Sequence, residues 1–306
     1  MAQRSRNRPN RNRPQASSVV APVISPPSAA TSLFGFEVSE EEVAENQRAG
    51  WRLLIRLGVE RGLGVGLIVA VVSAAAGLGW WGILVGVLAF VVATAIVTAL
   101  GRKRTALYAL HRIPAHPVSE AEEPRLANLA RALSATFGLT TPHLAVLEDA
   151  VPNACAVGHG HGATLVVTRG LLEGCDLIEL EGVVAHELAH LRRGDGDRGA
   201  ISVLYAVDAL PLKGRDVQLH DAVGRGRELR ADQVGAAAVR SPAGILAALR
   251  RCEQAPAPTA TSFFCSREFE RTRWLWFDPM VGQRSPASAL ANNDATSVRI
   301  AVLEEW

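Results

Sequence analysis

Lysine is almost missing from this chain. Lys103 and Lys213 are the only two, so arginine supplies nearly all of the 32 basic residues. That bias fits a GC-rich bacterial coding sequence and excludes no function. Cysteine is equally sparse. Four residues, at 155, 175, 252 and 265, show no C-x-x-C spacing, which argues against a disulfide framework or a four-cysteine zinc site and suits a reducing cytosol. A net charge of +2 gives no ground for an acidic partner, and no nucleic acid is expected. Repeats and coiled-coil heptads are absent. Acidic residues are missing from residues 1–35, where Arg4, Arg6, Arg8, Arg11 and Arg13 lie among Pro, Ser and Ala. Such a segment cannot bury a core, so a disordered tail is expected. Contact with anionic lipid or nucleic acid and an organelle transit peptide are its other readings, and a solvated, inert tail is preferred over both.

The most informative absence is that of charge from Gly62 to Gly101, a run of 40 residues. One helix of that length would reach about 60 Å, roughly twice the hydrocarbon thickness of a bilayer. A transmembrane hairpin over 62–101 resolves the excess, turning at Gly79-Trp80-Trp81-Gly82, where the tryptophans suit a membrane interface. Arg52, Arg56 and Arg61 precede it, and Arg102, Lys103 and Arg104 follow. The positive-inside rule then places both termini and the domain that follows the hairpin in the cytoplasm, and a two-span protein of a bacterial plasma membrane is expected. Ser39 and Glu42 cap a short juxtamembrane helix within 36–61, and residues 102–306 suffice for one sizeable domain.

Within that domain, His186-Glu187-Leu188-Ala189-His190 carries the chemistry. Histidines four apart lie one helical turn apart, so both imidazoles can reach one Zn2+, and Glu187 projects toward a water in its open position. Asp176 and Glu179 form a capping box, and Gly194 ends the helix after Arg192 and Arg193. A plain core helix is the competing reading. It would bury two imidazoles and a carboxylate with no shared partner, which is costly. Downstream, Glu228 and Asp232 share a helix face. One is suited to bind the metal and the other to accept a hydrogen bond from a ligand histidine. A solvated charged face, favoured by Arg225, Arg227 and Arg230, is the alternative for that segment.

These blocks resemble the HtpX-like zinc metallopeptidases, gluzincins grouped with the CAAX prenyl endoproteases and a mitochondrial inner-membrane stress protease. Pro152-Asn153-Ala154-Cys155-Ala156-Val157-Gly158 is similar to the family's Asn-Ala-Phe-Ala-x-Gly segment. Ala163 to Leu172, Glu181 to His190 with Asp195, and Glu228 to Asp232 follow in the family's order. The resemblance spans about His116 to Leu249, with a fainter echo at Val298-Arg299-Ile300. It implies His186, His190 and Glu228 as zinc ligands, Glu187 as general base and Asp232 as the partner behind a ligand. It also implies that Thr164, Leu165, Val166, Val167 and Thr168 form an edge strand receiving substrate by β-addition.

Two departures stand out. Cys155 replaces the family's phenylalanine, and burial makes an inert thiol the preferred reading over a redox-sensitive one. Between His190 and Glu228 the only apolar run, Ala200 to Leu212, is too short to span a membrane and is read as soluble and amphipathic. His159 and His161 are read as incidental to a glycine loop, with a further metal site as the alternative. Helices are expected over 122–137 and 242–251 and a strand over 143–147. The last 50 residues, with Trp274 and Trp276, read as α-rich and irregular.

The expected architecture is an α+β zincin-like domain, mostly helical with a small sheet, behind a membrane hairpin. The expected activity is zinc-dependent endopeptidase action on protein or peptide substrates, misfolded or membrane proteins among them, at the bilayer. A catalytically silent scaffold that binds zinc or clients, and a narrow-specificity processing protease, are the alternatives. Prenyl-protein processing is disfavoured because two spans cannot build a large intramembrane chamber.

Overall fold

The computed structural model describes residues 37–208, 226–281 and 296–306. The Arg-rich tail expected at 1–35, and the end of the apolar run at 209–212, lie outside the described residues.

Helix α1, Glu40–Ser73, begins where the Ser39 side chain accepts the Glu42 N–H at 3.1 Å. It does not stop at the membrane boundary. The separate juxtamembrane helix expected over 36–61 and the first span are one continuous 34-residue helix, because no proline or capping residue interrupts them. A π-helical turn, Ala74–Leu78, carries Gly77 at φ 88°, and Gly79 at φ 57° completes the reversal. Both angles are left-handed and favour glycine. Trp80 and Trp81 stack at the tip with ring centroids 4.1 Å apart. Helix α2, Trp81–Leu110, returns along α1. The stripe Gly58, Gly62 and Gly66 lets the two backbones close up: a Cβ on Gly66 would lie 2.7 Å from the Gly86 carbonyl. Two helices are thus long and apolar enough to cross a membrane, and only 11% and 6% of their apolar windows are buried. That exposure separates them from the core helices of a water-soluble domain.

The hairpin's polar end is held by α6, Gly196–Asp208, where Leu53, Leu54 and Leu57 of α1 pack on Ile201. The domain proper is built on a four-stranded sheet of order β1-β2-β4-β3. Its strands are β1 (His116–Pro117), β2 (His143–Leu147), β3 (Ala154–Val157) and β4 (Thr164–Thr168). β1 pairs antiparallel to β2, β2 parallel to β4, and β3 antiparallel to β4. One face, with Leu165 and Val167, packs on α3 (Pro124–Phe137), α5 (Leu177–Arg193), α7 (Arg227–Val239), α8 (Ala243–Gln254) and α10 (Thr296–Glu304). The other, with Cys155, Val157 and Val166, packs on Ala109 of α2, Ala200 and Val203 of α6, and an aromatic group of Phe263, Phe264, Phe269 and Trp276. Two short helices, α4 (Arg169–Gly174) and α9 (Arg267–Thr272), complete the described elements named here.

One expectation is overturned. Thr164–Thr168 is a strand, but not an edge. β2 and β3 occupy its two sides, so its main-chain groups are already paired and it cannot accept a substrate strand. The edges are the two-residue β1 and β3, and the short Ala-Cys-Ala-Val run of β3 has neither the length nor the alternation that marks a strand in sequence. Even the β3 edge is covered. Cys155 forms an antiparallel bridge with Trp276, and the Phe277 N–H donates to the Ala154 carbonyl at 2.8 Å. The Asn153 side chain fixes this segment, accepting the Asp278 N–H and donating to the Asp278 carbonyl, both at 2.9 Å. Beyond it, the Gly158 carbonyl lies 3.1 Å from where a Gly196 Cβ would stand.

Candidate metal centre

Helix α5 carries the two histidines and is specified locally at both ends. The Asp176 side chain accepts the Glu179 N–H and the Glu179 carboxylate accepts the Asp176 N–H, each at 2.8 Å. At the other end Gly194, at φ 71°, closes the helix in the left-handed conformation. Leu180, Val183, Val184 and Leu188 are fully buried against the sheet and neighbouring helices. Helix α7 approaches α5 through a glycine. A Cβ on Gly235 would meet the His186 backbone nitrogen at 3.0 Å. Glu228, Asp232 and Gly235 fall at i, i+4 and i+7, so close contact at Gly235 turns both carboxylates toward α5.

The result is a buried convergence of three donor atoms. His186 Nε2 and His190 Nε2 are 3.1 Å apart, and Glu228 Oε2 is 3.1 Å from the first and 3.4 Å from the second. Among the described residues, His186, His190 and Glu228 are the one group of three metal-donor side chains. The opposite ring nitrogens are engaged elsewhere. His186 Nδ1 meets Asp232 Oδ1 at 2.8 Å, and His190 Nδ1 meets Asp195 Oδ1 at 2.9 Å. A carboxylate at Nδ1 assigns the proton there and leaves the Nε2 lone pair facing inward. Two imidazole lone pairs and a carboxylate oxygen repel one another at this separation unless a metal ion or a proton lies between them.

Each carboxylate in turn is held by an arginine. Arg299, fully buried, reaches Asp232 through Nε and Nη2, both at 2.7 Å. Arg193 donates to Asp195 Oδ2 at 2.7 Å. Arg227 grips Glu228 Oε1 through Nε at 3.0 Å and Nη2 at 2.7 Å, leaving Oε2 for the centre. Burial alone would raise these carboxyls. The imidazoles and guanidiniums reverse its effect, so Asp195 and Asp232 lie below their ordinary values and Glu228 well below. Burial pulls His190 down, but Asp195 and Glu228 outweigh it and push the imidazole up to about 9. Phe277 closes the centre edge-on to His186, with ring centroids 4.9 Å apart.

Glu187 is the exception to this pairing. It is fully buried, and neither carboxylate oxygen has a hydrogen-bond partner among the described residues. Burial raises its pKa, against the nearby imidazoles. An orphaned buried carboxylate beside three converged donors has no structural purpose and is costly. Zinc fits this site: two nitrogens and one oxygen are its usual donors in a hydrolase.

The comparisons with known proteins agree with this chemistry. The model of peptidase family M48 matches residues 120–210. A protease HtpX homolog of Salinibacter ruber is 32% identical over 224 residues, covering 62% of this chain and 77% of that protein. One from Tropheryma whipplei is 29% identical and likewise covers 62% and 75%. A third, from Pyrococcus abyssi, is 32% identical over 45% of this chain and 59% of its own length. No solved structure matches. The chain belongs to peptidase family M48: it is an HtpX-like, membrane-associated metalloprotease, a class whose typical metal is zinc.

Of the residues singled out in sequence, His186, Glu187, His190, Glu228 and Asp232 come together here. Thr164 to Thr168 do not: they form the sheet's interior. Cys155 is buried with its thiol pushed well up by burial, as an inert cysteine should be. His159 pairs with Asp197 at 2.9 Å in an exposed loop. Sequence reasoning missed the roles of Asp195, Arg193, Arg227 and Arg299. Asp195 had a signal, five residues past His190, and Arg299 lay in the faint C-terminal echo. Nothing local marked Arg193 or Arg227.

Proposed function

We propose that this chain is a membrane-anchored zinc endopeptidase in which His186, His190 and Glu228 hold the metal and Glu187 is the general base. The observation that carries this reading is the unpartnered Glu187 carboxylate beside three converged donor atoms. A zinc ion bound there supplies Lewis acidity toward a scissile carbonyl and toward water. Glu187, with no competing hydrogen bond, takes the proton of the attacking water and returns it to the leaving amine. Burial raises its pKa above the ordinary carboxylate value, which favours its accepting a proton. Asp195 and Asp232 keep the imidazoles in the Nδ1–H tautomer, and Arg227 keeps Glu228 turned inward.

The two apolar helices serve as the membrane anchor in this reading, and the basic residues that flank them support a catalytic domain on the cytoplasmic face of a bacterial plasma membrane. Misfolded or unassembled membrane and cytoplasmic proteins are the proposed substrates. The test is cleavage of unfolded casein by the zinc-loaded, detergent-purified chain beside Glu187→Gln. Cleavage by the native chain alone supports the reading. Equal activity of the two would remove Glu187 from the mechanism.

A further inference from the structure

The anchor helix α1 reaches into the metal centre. Its first three turns lie ahead of the apolar span and dock where α5 ends and α7 begins. Glu42 Oε1 accepts Arg193 Nε at 2.7 Å, and the Glu42 carboxylate also accepts Arg230 Nε at 3.3 Å and Nη2 at 3.1 Å. Arg193 is the last residue of α5, and Arg230 stands two residues after Glu228 on α7. One turn along α1, buried Asn46 donates to the Arg193 carbonyl at 3.0 Å. Between them Val43 packs at the α5 cap, its Cγ1 lying 3.3 Å from where a Gly194 Cβ would stand.

Arg193 is the residue through which this matters. Its Nε goes to Glu42 and its Nη1 to Asp195 Oδ2 at 2.7 Å and to the Arg227 carbonyl at 3.1 Å. Asp195 in turn holds His190. A planar guanidinium fixed on its Nε side has little freedom left at Nη1, so the Glu42 contact sets where Asp195 and its imidazole stand. An isolated surface ion pair would contribute little. This one is different in kind: Arg193 is buried, Glu42 is partly so, and one carboxylate bridges the two helices that carry all three donor atoms. Glu42 would otherwise be free to complete a capping box with Ser39, and it is turned away from the helix end to make these contacts.

We propose that Glu42 and Asn46, on the anchor helix, are positioning residues of the metal centre, clamping α5 and α7 in register for metal binding. The inference rests on the zinc reading above. It makes the anchor more than a tether: α1 carries one rigid path from the membrane span to His190.

The test uses the full chain in detergent and reads zinc affinity by chelator competition, with the visible absorption of the cobalt-substituted protein as a second signal. The native chain beside His186→Ala establishes, independently of α1, that the site binds metal. Glu42→Gln removes only the charge and Glu42→Ala the whole clamp. Glu45→Ala, exposed on the same helix, is the control. Outer residues around metal ligands typically change affinity by about 10–100-fold. Glu42 acts two residues further out, through Arg193 and Asp195, so a loss of roughly threefold to tenfold is expected in Glu42→Ala, with an altered cobalt spectrum, a smaller loss in Glu42→Gln and none in Glu45→Ala. Native affinity and spectrum in both Glu42 variants would overturn the proposal, and so would lowered thermal stability with unchanged affinity. Should Glu42→Ala not fold, Glu42→Gln decides alone.

Discussion

Cys155 and Trp276 face each other across an antiparallel bridge, so the edge of the sheet nearest the metal helix is completed by the chain's own C-terminal region. Trp276 is 1% exposed and packs against Phe263 and Phe264. The segment is therefore part of the core and not a loose flap. Trp276→Ala is expected to destabilise the domain by about 3–5 kcal/mol, the usual cost of emptying an aromatic site. A thermal melt in detergent measures this, and an unchanged midpoint would mean that the segment is dispensable.

Metal binding should release a proton. Without metal, the His190 imidazole keeps its proton up to about pH 9, because Asp195 and Glu228 favour the charged ring over the opposing effect of burial. A ligand histidine must be neutral. Apparent zinc affinity should then rise about tenfold per pH unit from pH 7 to near pH 9 and level off beyond. Chelator competition across that range would show it. A flat profile would contradict the charged imidazole.

Asp195 Oδ1 lies 2.9 Å from His190 Nδ1, on the side of the ring away from Glu228. Asp195→Asn keeps the shape and loses the charge-assisted bond to Nδ1 and the ion pair with Arg193. Zinc affinity should fall by about 10–100-fold with the fold retained. Full affinity in this variant would show that the His190 ring is oriented by packing alone.

Glu187 should weaken the metal-free protein. Its folded pKa is raised by burial, so its contribution to stability is complete below the unfolded value and is lost as pH rises through the folded one. Asp195 and Asp232 have lowered values and behave oppositely, losing their contribution as pH falls. The metal-free Glu187→Gln chain, which buries no charge at this position, should therefore be more stable than the native one at pH 8. The gain should vanish toward pH 4. Equal stability at pH 8 would imply a partner for the carboxylate.

The hairpin depends on a bare glycine face. A Cβ on Gly66 would meet the Gly86 carbonyl and the Phe90 Cβ, each at 2.7 Å. Gly66→Leu should separate the helices and lower yield from membranes, whereas Gly64→Leu, which meets nothing within 4 Å, should be tolerated. Similar yields for the two would refute the close packing.

Local features were legible in the sequence because their causes are local. The uncharged run of 62–101 requires a membrane, the Asp176 and Glu179 box starts α5, Gly194 ends it, and four-residue spacing puts His186 and His190 on one face. The pairing of Glu228 with Asp232 followed from the same helical period. Strand order did not. β2, β3 and β4 are all short, and only packing decides that β4 lies inside and β3 at an edge. Nor did the arginines: Arg193, Arg227 and Arg299 look like any other basic residue until the fold buries them beside carboxylates. Glu42, which sequence reads as a helix cap, becomes a clamp 151 residues from Arg193. The sequence determined the helix that carries the metal motif and the pairing of His186 with His190, since periodicity and capping act within a few residues, while Glu228 as third donor came from the resemblance. Tertiary structure alone decided which charge holds which ligand, because a buried ion pair forms only where two distant segments leave water together.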